Sequence, residues 1–350
     1  MRALVFTLFL INFIYMEKIH SLNPDYLFMI EQAVKAPSGH NTQPWLFRIN
    51  ESNIEIHPNY EKTLPVVDPD NRELFISLGC AAENLCITAT EKGYKPEVNI
   101  TDKGSIIISL ARNTSIEADP LFKQIAFRQT NRSLYNRKLI SQDTIEILKG
   151  MPKEPGINIY YYRNGSPEFD SIANYIIRGN IQQMQDEAFR KELKSWMRFN
   201  KKHQDETNDG LSYAVFGAPN LPKFIVKPIM SKALNAKRQN NGDVKKIRSS
   251  SHFVLFTIKS NTLHEWINLG RALEHFLLKS TESGIIHAYM NQPNELKDLS
   301  NEMAKSLYLT KEYPVILLRL GYGKTMPYSK RKNIQAVILN YQNKFSDELI

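Results

Sequence analysis

The sequence predicts an α+β protein of two related halves fused in one chain. An internal repeat and a helix-then-strand pattern in each copy point to it. Leu78-Gly79-Cys80-Ala81-Ala82-Glu83-Asn84-Leu85 aligns with Leu269-Gly270-Arg271-Ala272-Leu273-Glu274-His275-Phe276 at an offset of 191 residues (Gly270 against Gly79), and Thr90-Glu91-Lys92-Gly93 falls on Thr281-Glu282-Ser283-Gly284. Seven identities share that offset, which favours duplication over the common period of any two helices. Each copy reads as an amphipathic helix closed by a C′ glycine. A strand pattern follows each, Ser105 to Leu110 in the first and Val315 to Leu320 in the second. The join is expected near Asp119-Pro120. This gives a leader at 1–21, a first half at 22–119 and a second half at 120–350. The halves are expected to pack face to face as a pseudo-dimer.

At 350 residues the chain is long enough for two domains or one large one, and 42% hydrophobic with 23% charged residues is ordinary for a globular protein. The net charge of +9 reads as a basic surface, because most Lys and Arg are mixed with acids. Only Lys223 to Arg248 stands apart, with eight basic residues against Asp243. It lacks aromatic interleaving apart from Phe224 and matches no nucleic-acid module, so no nucleic-acid partner is expected. Cys80 and Cys86 would face different sides of a helix, and the histidines are scattered. Neither a disulfide framework nor a metal site is expected.

From the N-terminus, Arg2 precedes an apolar run from Ala3 to Tyr15 that is too short to span a membrane. It has the size of a signal h-region, yet no small-residue cleavage pattern follows before Ser21. An over-extended start, with a cytoplasmic protein beginning near Met16, is the favoured reading; export is the alternative if residues 1–21 act as a signal. Leu27, Ile30 and Val34 then mark a helix that Pro37 stops. Pro37-Ser38-Gly39-His40-Asn41-Thr42-Gln43-Pro44-Trp45 follows, a proline-stiffened loop leading into the strand pattern Trp45 to Ile49. Its carboxamides each offer one acceptor and two donors, a match for the edge of a flat heterocycle. A capped turn bonding its own backbone is the plainer alternative.

The second half opens with Phe127-Arg128-Gln129-Thr130-Asn131-Arg132-Ser133, two arginines and a hydroxyl before a helix that Ser141 can cap. Guanidinium groups and hydroxyls suit a phosphate. Gly210 to Pro219 reads as a long loop with an apolar middle. Leu317-Leu318-Arg319-Leu320-Gly321-Tyr322-Gly323 reads as a buried strand entering a glycine turn, with Ser329-Lys330-Arg331-Lys332 beyond it. The stretch after the first-half strand, Ala111 to Asp119, is acidic instead. No Ser-His-Asp arrangement, P-loop or G-x-G-x-x-G pattern is present.

The Pro37–Trp45 loop resembles the P-S-x-x-N-x-Q-P-W loop of nitroreductase-like FMN proteins. With the repeat, the chain resembles the tandem, Acg-like subgroup of that family over nearly its whole length. The resemblance implies two nitroreductase-like halves, each an antiparallel-rich sheet with flanking helices, and FMN at their interface. It implies Ser38, Asn41 and Gln43 at the flavin ring. Arg128, Thr130 and Arg132 resemble the family's phosphate segment, although Asn131 departs from its usual form. Gly321, Tyr322 and either Lys330 or Arg331 resemble its C-terminal flavin-binding end. The loop from Gly284 to Pro293 would approach the ring, and Gly210 to Pro219 is the lid candidate. Each half carries what the other lacks, so one FMN site per chain is expected. The implied activity passes hydride from NAD(P)H through FMN to a nitro- or quinone-like acceptor, with no side chain needed as catalyst. The alternative is a non-enzymatic protein that holds FMN under its lid. The chain is expected to be a monomer with an internal pseudo-two-fold, leaving other surfaces for a further dimer, and to be no membrane protein.

Overall fold

A computed structural model describes residues 23–339 apart from 114, 153, 223, 227, 229–234 and 310. The leader reading of residues 1–21, and Lys223, Lys227 and Lys232 of the basic stretch, lie outside the described residues. Helix α1 (Pro24–Ala33) starts where the Asn23 side chain accepts from the Asp25 amide, with Pro24 in the first turn. Then come the hairpin of β1 (Trp45–Ile49) and β2 (Asn53–Pro58), helix α2 (Arg72–Glu91), β3 (Tyr94–Ile100) and β4 (Ile106–Arg112). These strands form one sheet in the order β1-β2-β4-β3, antiparallel throughout. After a 3₁₀ turn at Pro120–Ala126, α3 (Gln142–Lys149) begins at Ser141, whose hydroxyl accepts from the Thr144 amide.

The second sheet takes β5 (Ile157–Arg163), β8 (His252–Ile258), β9 (Ile286–Tyr289) and β10 (Tyr313–Gly321), in the order β5-β8-β10-β9, again antiparallel. Helix α8 (Leu263–Glu282) joins β8 to β9, as α2 joins β2 to β3. Both halves therefore run strand, strand, helix, strand, strand with the same sheet order, and the repeated sequence is the helix between the second and third strands. This is the expected α+β fold of two fused halves.

The halves differ in what is inserted. Residues 50–52 alone separate β1 from β2. Between β5 and β8 lie α4 (Pro167–Gln185), α5 (Glu187–Ser195), β6 (Met197–Arg198), α6 (Lys201–Thr207), β7 (Leu211–Ser212) and α7 (Ala236–Ser249), and α9 (Lys297–Ser306) lies between β9 and β10. Phe169, Ile172 and Ile176 of α4, Ile247 of α7 and Met303 of α9 pack on Phe253, Leu255 and Leu317, so the second sheet is covered on both faces. Every residue of β8 is accordingly buried, whereas β4 alternates, with Ile106, Ile108 and Leu110 inside.

Helices α2 and α8 pack on each other across the two halves. A Cβ on Gly79 would lie 2.9 Å from the Gly270 Cα and against the Ile267 carbonyl; a Cβ on Gly270 would strike the Ile76 carbonyl. Glycine is needed at both positions because the backbones touch there. The segment at Val337 returns to the first half, where the Phe47 amide of β1 donates to the Val337 carbonyl at 2.7 Å. No described helix is long and apolar enough to cross a membrane.

Candidate functional site

A cavity of about 600 Å³ lies between the two halves. Its walls come from the α1–β1 loop, the first turns of α2, the segment 125–132, the loop after β9, the α4–α5–β7 insertion and residues 327–331. No short sequence window contains such a site, because its walls are up to about 300 residues apart in the chain.

The α1–β1 loop is held in an unusual shape. His40, Asn41 and Gln43 have φ of 47°, 57° and 55°, the left-handed region that side chains with a Cβ disfavour. Ser38 stabilises the turn locally, its hydroxyl accepting from the Gln43 amide at 3.0 Å. Asn41 turns its amide nitrogen to the carbonyls of Gly210 (3.1 Å) and Lys330 (3.2 Å), which leaves its Oδ1 buried with no described partner. Gln43 is spent on the protein: Nε2 donates to the Asn208 carbonyl at 2.9 Å, and Oε1 accepts from the Lys332 amide at 2.8 Å. Ser38, His40 and Asn41 line the cavity and Gln43 does not. Burial, then the nearby Arg132, pulls the His40 imidazole down to about 4, so it is neutral at pH 7.

The cations differ from one another. Arg128 Nε pairs with Glu274 Oε1 of α8 at 3.0 Å, both side chains almost fully buried, and Arg128 Nη2 donates to the Lys35 carbonyl at 2.6 Å. Arg331 meets the same helix end, Nη2 donating to the Lys35 and Ala36 carbonyls at 3.2 Å each. It has no carboxylate among its described partners; burial, then the neighbouring Arg128, lowers it to about 9. Lys330 points away from the cavity, its Nζ 3.6 Å from Asp205. Arg132 and Thr130 line the wall. Arg132 lies over the Phe216 ring, 5.6 Å from its centroid, and has neither ion pair nor hydrogen bond among the described residues. Burial is the chief cause that lowers it to about 10, and the Arg319 guanidinium contributes.

Gly321 and Tyr322 lie outside the cavity wall. A Cβ on Gly321 would come within 2.6 Å of the Tyr135 ring, and Tyr322 accepts from the Asn136 amide through its carbonyl at 2.9 Å. The structure thus brings Ser38, Asn41, Arg128, Thr130, Arg132 and Arg331 to one cavity, and not Gln43, Gly321, Tyr322 or Lys330. His287 is buried, with no partner on either ring nitrogen among the described residues, and burial pulls it down to about 3.

The lid candidate packs on this site. The Gly210 amide donates to the Asn41 carbonyl at 3.1 Å, and Leu211 and Phe216 line the cavity. Sequence reasoning did not single out Glu73, Asn180, Gln183, Gln239 or Glu295, which also line it. All but Glu295, which lies in the turn before α9, sit on helices whose polar residues read as solvent-facing until the insertion folds over the sheet. Burial, then the Glu295 and Asp68 charges, raises the Glu73 carboxyl well above its ordinary value, and burial brings Glu295 to about 7.

No family model matches the chain. Two curated proteins of Mycobacterium tuberculosis, from strains CDC 1551 / Oshkosh and ATCC 25618 / H37Rv, each provisionally named an NAD(P)H nitroreductase, are 27% identical to it over 173 residues, 47% of this chain and 48% of each of theirs. The match thus spans about half the length of these curated relatives. Among solved structures, the FMN-dependent nitroreductase NfnB of Mycobacterium smegmatis, in complex with NADPH, is 11% identical with a TM-score of 0.38, covering 58% of this chain and 86% of that one.

Proposed function

We propose that this nitroreductase-like chain binds one FMN between its halves and uses it to pass hydride from NAD(P)H to a small nitro-aromatic or quinone-like acceptor. The observation that carries the reading is Arg132. A guanidinium on a cavity wall with no acidic partner is costly to keep charged, and an anionic ligand relieves that cost. The cavity volume of about 600 Å³ falls within the range of about 300–1,000 Å³ typical of cofactor sites. The name of the curated mycobacterial relatives supports the same reading.

The residues present fit such a group. Arg331, backed by Arg128, and the hydroxyls of Thr130 and Ser329 would hold the phosphate, since guanidinium and hydroxyl donors suit phosphate oxygens. Arg132 would supply positive charge further along the wall, where a reduced flavin gathers negative charge. The unpartnered Asn41 Oδ1 would accept from a ring N–H. FMN supplies the hydride chemistry when bound, and the protein orients it and excludes water. The division near Asp119–Pro120 belongs to the same proposal.

A holding protein without turnover is the second reading. It is favoured by the cover of β6, β7 and the turn after it, which is hydrogen-bonded to the α1–β1 loop through Gly210 and Asn208. Purified protein is expected to be yellow, to release FMN on denaturation, and to bleach when NADPH or NADH is added without oxygen. Colour that NAD(P)H does not bleach selects the holding reading. A colourless preparation that takes up no added FMN overturns both.

A further inference from the structure

One compartment of the cavity has a wall that offers hydrogen-bond acceptors and almost no donors. It lies where α4, α7 and the loop after β9 meet. Asp243 of α7, 2% exposed, collects three side-chain amides: Asn180 Nδ2 at 3.0 Å, Gln239 Nε2 at 2.9 Å and Gln292 Nε2 at 3.4 Å, besides Lys246 Nζ at 2.9 Å. A carboxylate only accepts, so it fixes which end of each carboxamide faces it. Each NH₂ turns to Asp243, and each carbonyl oxygen turns elsewhere. Gln183 likewise gives its Nε2 to Glu295, and Asn291 gives Nδ2 to Glu73 at 2.8 Å.

Asn180, Gln183, Gln239, Gln292, Glu73 and Glu295 all line the cavity. Asn180 and Gln183 are 1% and 4% exposed, and neither side-chain oxygen has a partner among the described residues. Gln292 Oε1 is buried and unpartnered as well. Glu73 and Glu295 form no ion pair among the described residues. A buried acceptor without a donor costs free energy comparable to a lost hydrogen bond; Gln292 Oε1 is such an atom, and Asn180 and Gln183 line the same cavity. Met184, Phe189 and Phe216 line the same cavity with apolar surface.

We infer that this compartment is the substrate subsite and that it takes an aromatic molecule bearing N–H donors or a cationic amidine, guanidine or amine. Anionic aromatics are disfavoured, because a carboxylate or sulfonate would face carbonyl oxygens and oppose ionisation of Glu73 and Glu295, whereas a cation holds both carboxyls ionised. The selection is by charge and donor count, with the apolar residues gripping the ring. Only the identification of the bound molecule as the acceptor to be reduced rests on the flavin reading; the binding preference does not.

The test compares two probes of one shape, 4-nitrobenzamidine and 4-nitrobenzoate, by calorimetric titration into the full chain as purified, with no NAD(P)H. The expected result is at least tenfold tighter binding of the amidine. Glu295→Gln, which removes the charge and keeps the shape, should cut that preference at least threefold while leaving flavin content and melting temperature in place. Glu73→Gln should act in the same direction. Equal or tighter binding of the benzoate overturns the inference, as does the failure of the amidine to bind at millimolar concentration. A preference that survives both substitutions unchanged also overturns it, because the amidine would then be held elsewhere. Flavin content is read separately by absorbance. A chain that takes up no added FMN yet prefers the amidine refutes the flavin and keeps the subsite; a yellow chain that prefers the benzoate does the reverse.

Discussion

Arg128→Ala is expected to destabilise the fold in a pH-dependent way. Arg128 is the cation paired with Glu274, whose side chain is completely buried on α8. Removing one partner of such a pair typically costs about 3–5 kcal/mol, because the other charge is left uncompensated. The Glu274 carboxyl is already pushed up from 4.5 to about 7, chiefly by burial and against the pull of Arg128. A carboxyl whose folded pKa lies above its unfolded one contributes stability that is full below the unfolded value and lost as pH rises through the folded value. Without Arg128 the folded value climbs further, so the loss continues on the alkaline side. At pH 5 Glu274 is mainly protonated in both proteins. The difference there reduces mainly to the hydrogen bond to the Lys35 carbonyl, about 0.5–1.5 kcal/mol. At pH 8, one unit above the folded value of about 7, the variant must still hold a proton on Glu274 that the parent has released; this adds at most about 1.4 kcal/mol, for a total of roughly 2–3 kcal/mol. Urea unfolding at the two pH values measures both differences, and adding Glu274→Gln to the Arg128→Ala chain should restore most of the loss at pH 8. A loss equal at pH 5 and pH 8, or below about 1 kcal/mol at pH 8, would refute the assignment of Arg128 as the counter-charge of Glu274.

Three further outcomes are expected. Gly270→Ala drives a methyl into the Ile76 carbonyl across the helix pair, so it should cost about 3 kcal/mol, the upper end for overpacking, and lower the urea midpoint accordingly; an unchanged midpoint would mean the helices do not meet there. Arg132→Ala should weaken FMN binding about ten- to a hundredfold (roughly 1.5–3 kcal/mol) with little loss of stability. Arg112→Ala is its control: Arg112 lies outside the cavity wall, near Asp25 at 3.6 Å, and equal effects of the two substitutions in a flavin titration would remove Arg132 from the site. Fully loaded protein should hold one FMN per chain, whereas a ratio near two would show that the pseudo-symmetric counterpart also binds.

The pseudo-symmetric counterpart shows why duplication does not guarantee a second site. Glu83 and Glu274 occupy the same repeat position. Glu83 meets Arg271 at 3.2 Å and His275 at 3.1 Å, both from the other copy's helix, whereas Glu274 meets Arg128. Cys80, at the repeat position of Arg271, lines the cavity with a small side chain; the large arginine at the equivalent place is bound to Glu83 and Glu154.

Much was legible in the sequence alone, and the reason is that it was local. The repeat is seven identities at a fixed offset, and the two equal sheet orders follow from helices placed alike between strands. The Ser141 cap and the loop bounded by Pro37 and Trp45 depend on neighbours a few residues away, which a sequence displays directly. What the tertiary structure decided is which polar groups remain free. Arg128 and Arg132 are equally plausible anion ligands four residues apart, but only folding sets Glu274 against the first and leaves the second without an acid. Gln43 and Asn41 lie in one loop, yet the chain segments at 208–210 and 330–332 engage both ends of the Gln43 carboxamide and only the nitrogen of Asn41. Asn180, Gln239 and Gln292 become neighbours only because the insertion folds over the second sheet and centres them on Asp243. A side chain's chemistry is written in its residue type. Whether that chemistry is available to a ligand depends on partners distant in sequence, and hydrogen bonding and burial assign those partners only once the chain has closed.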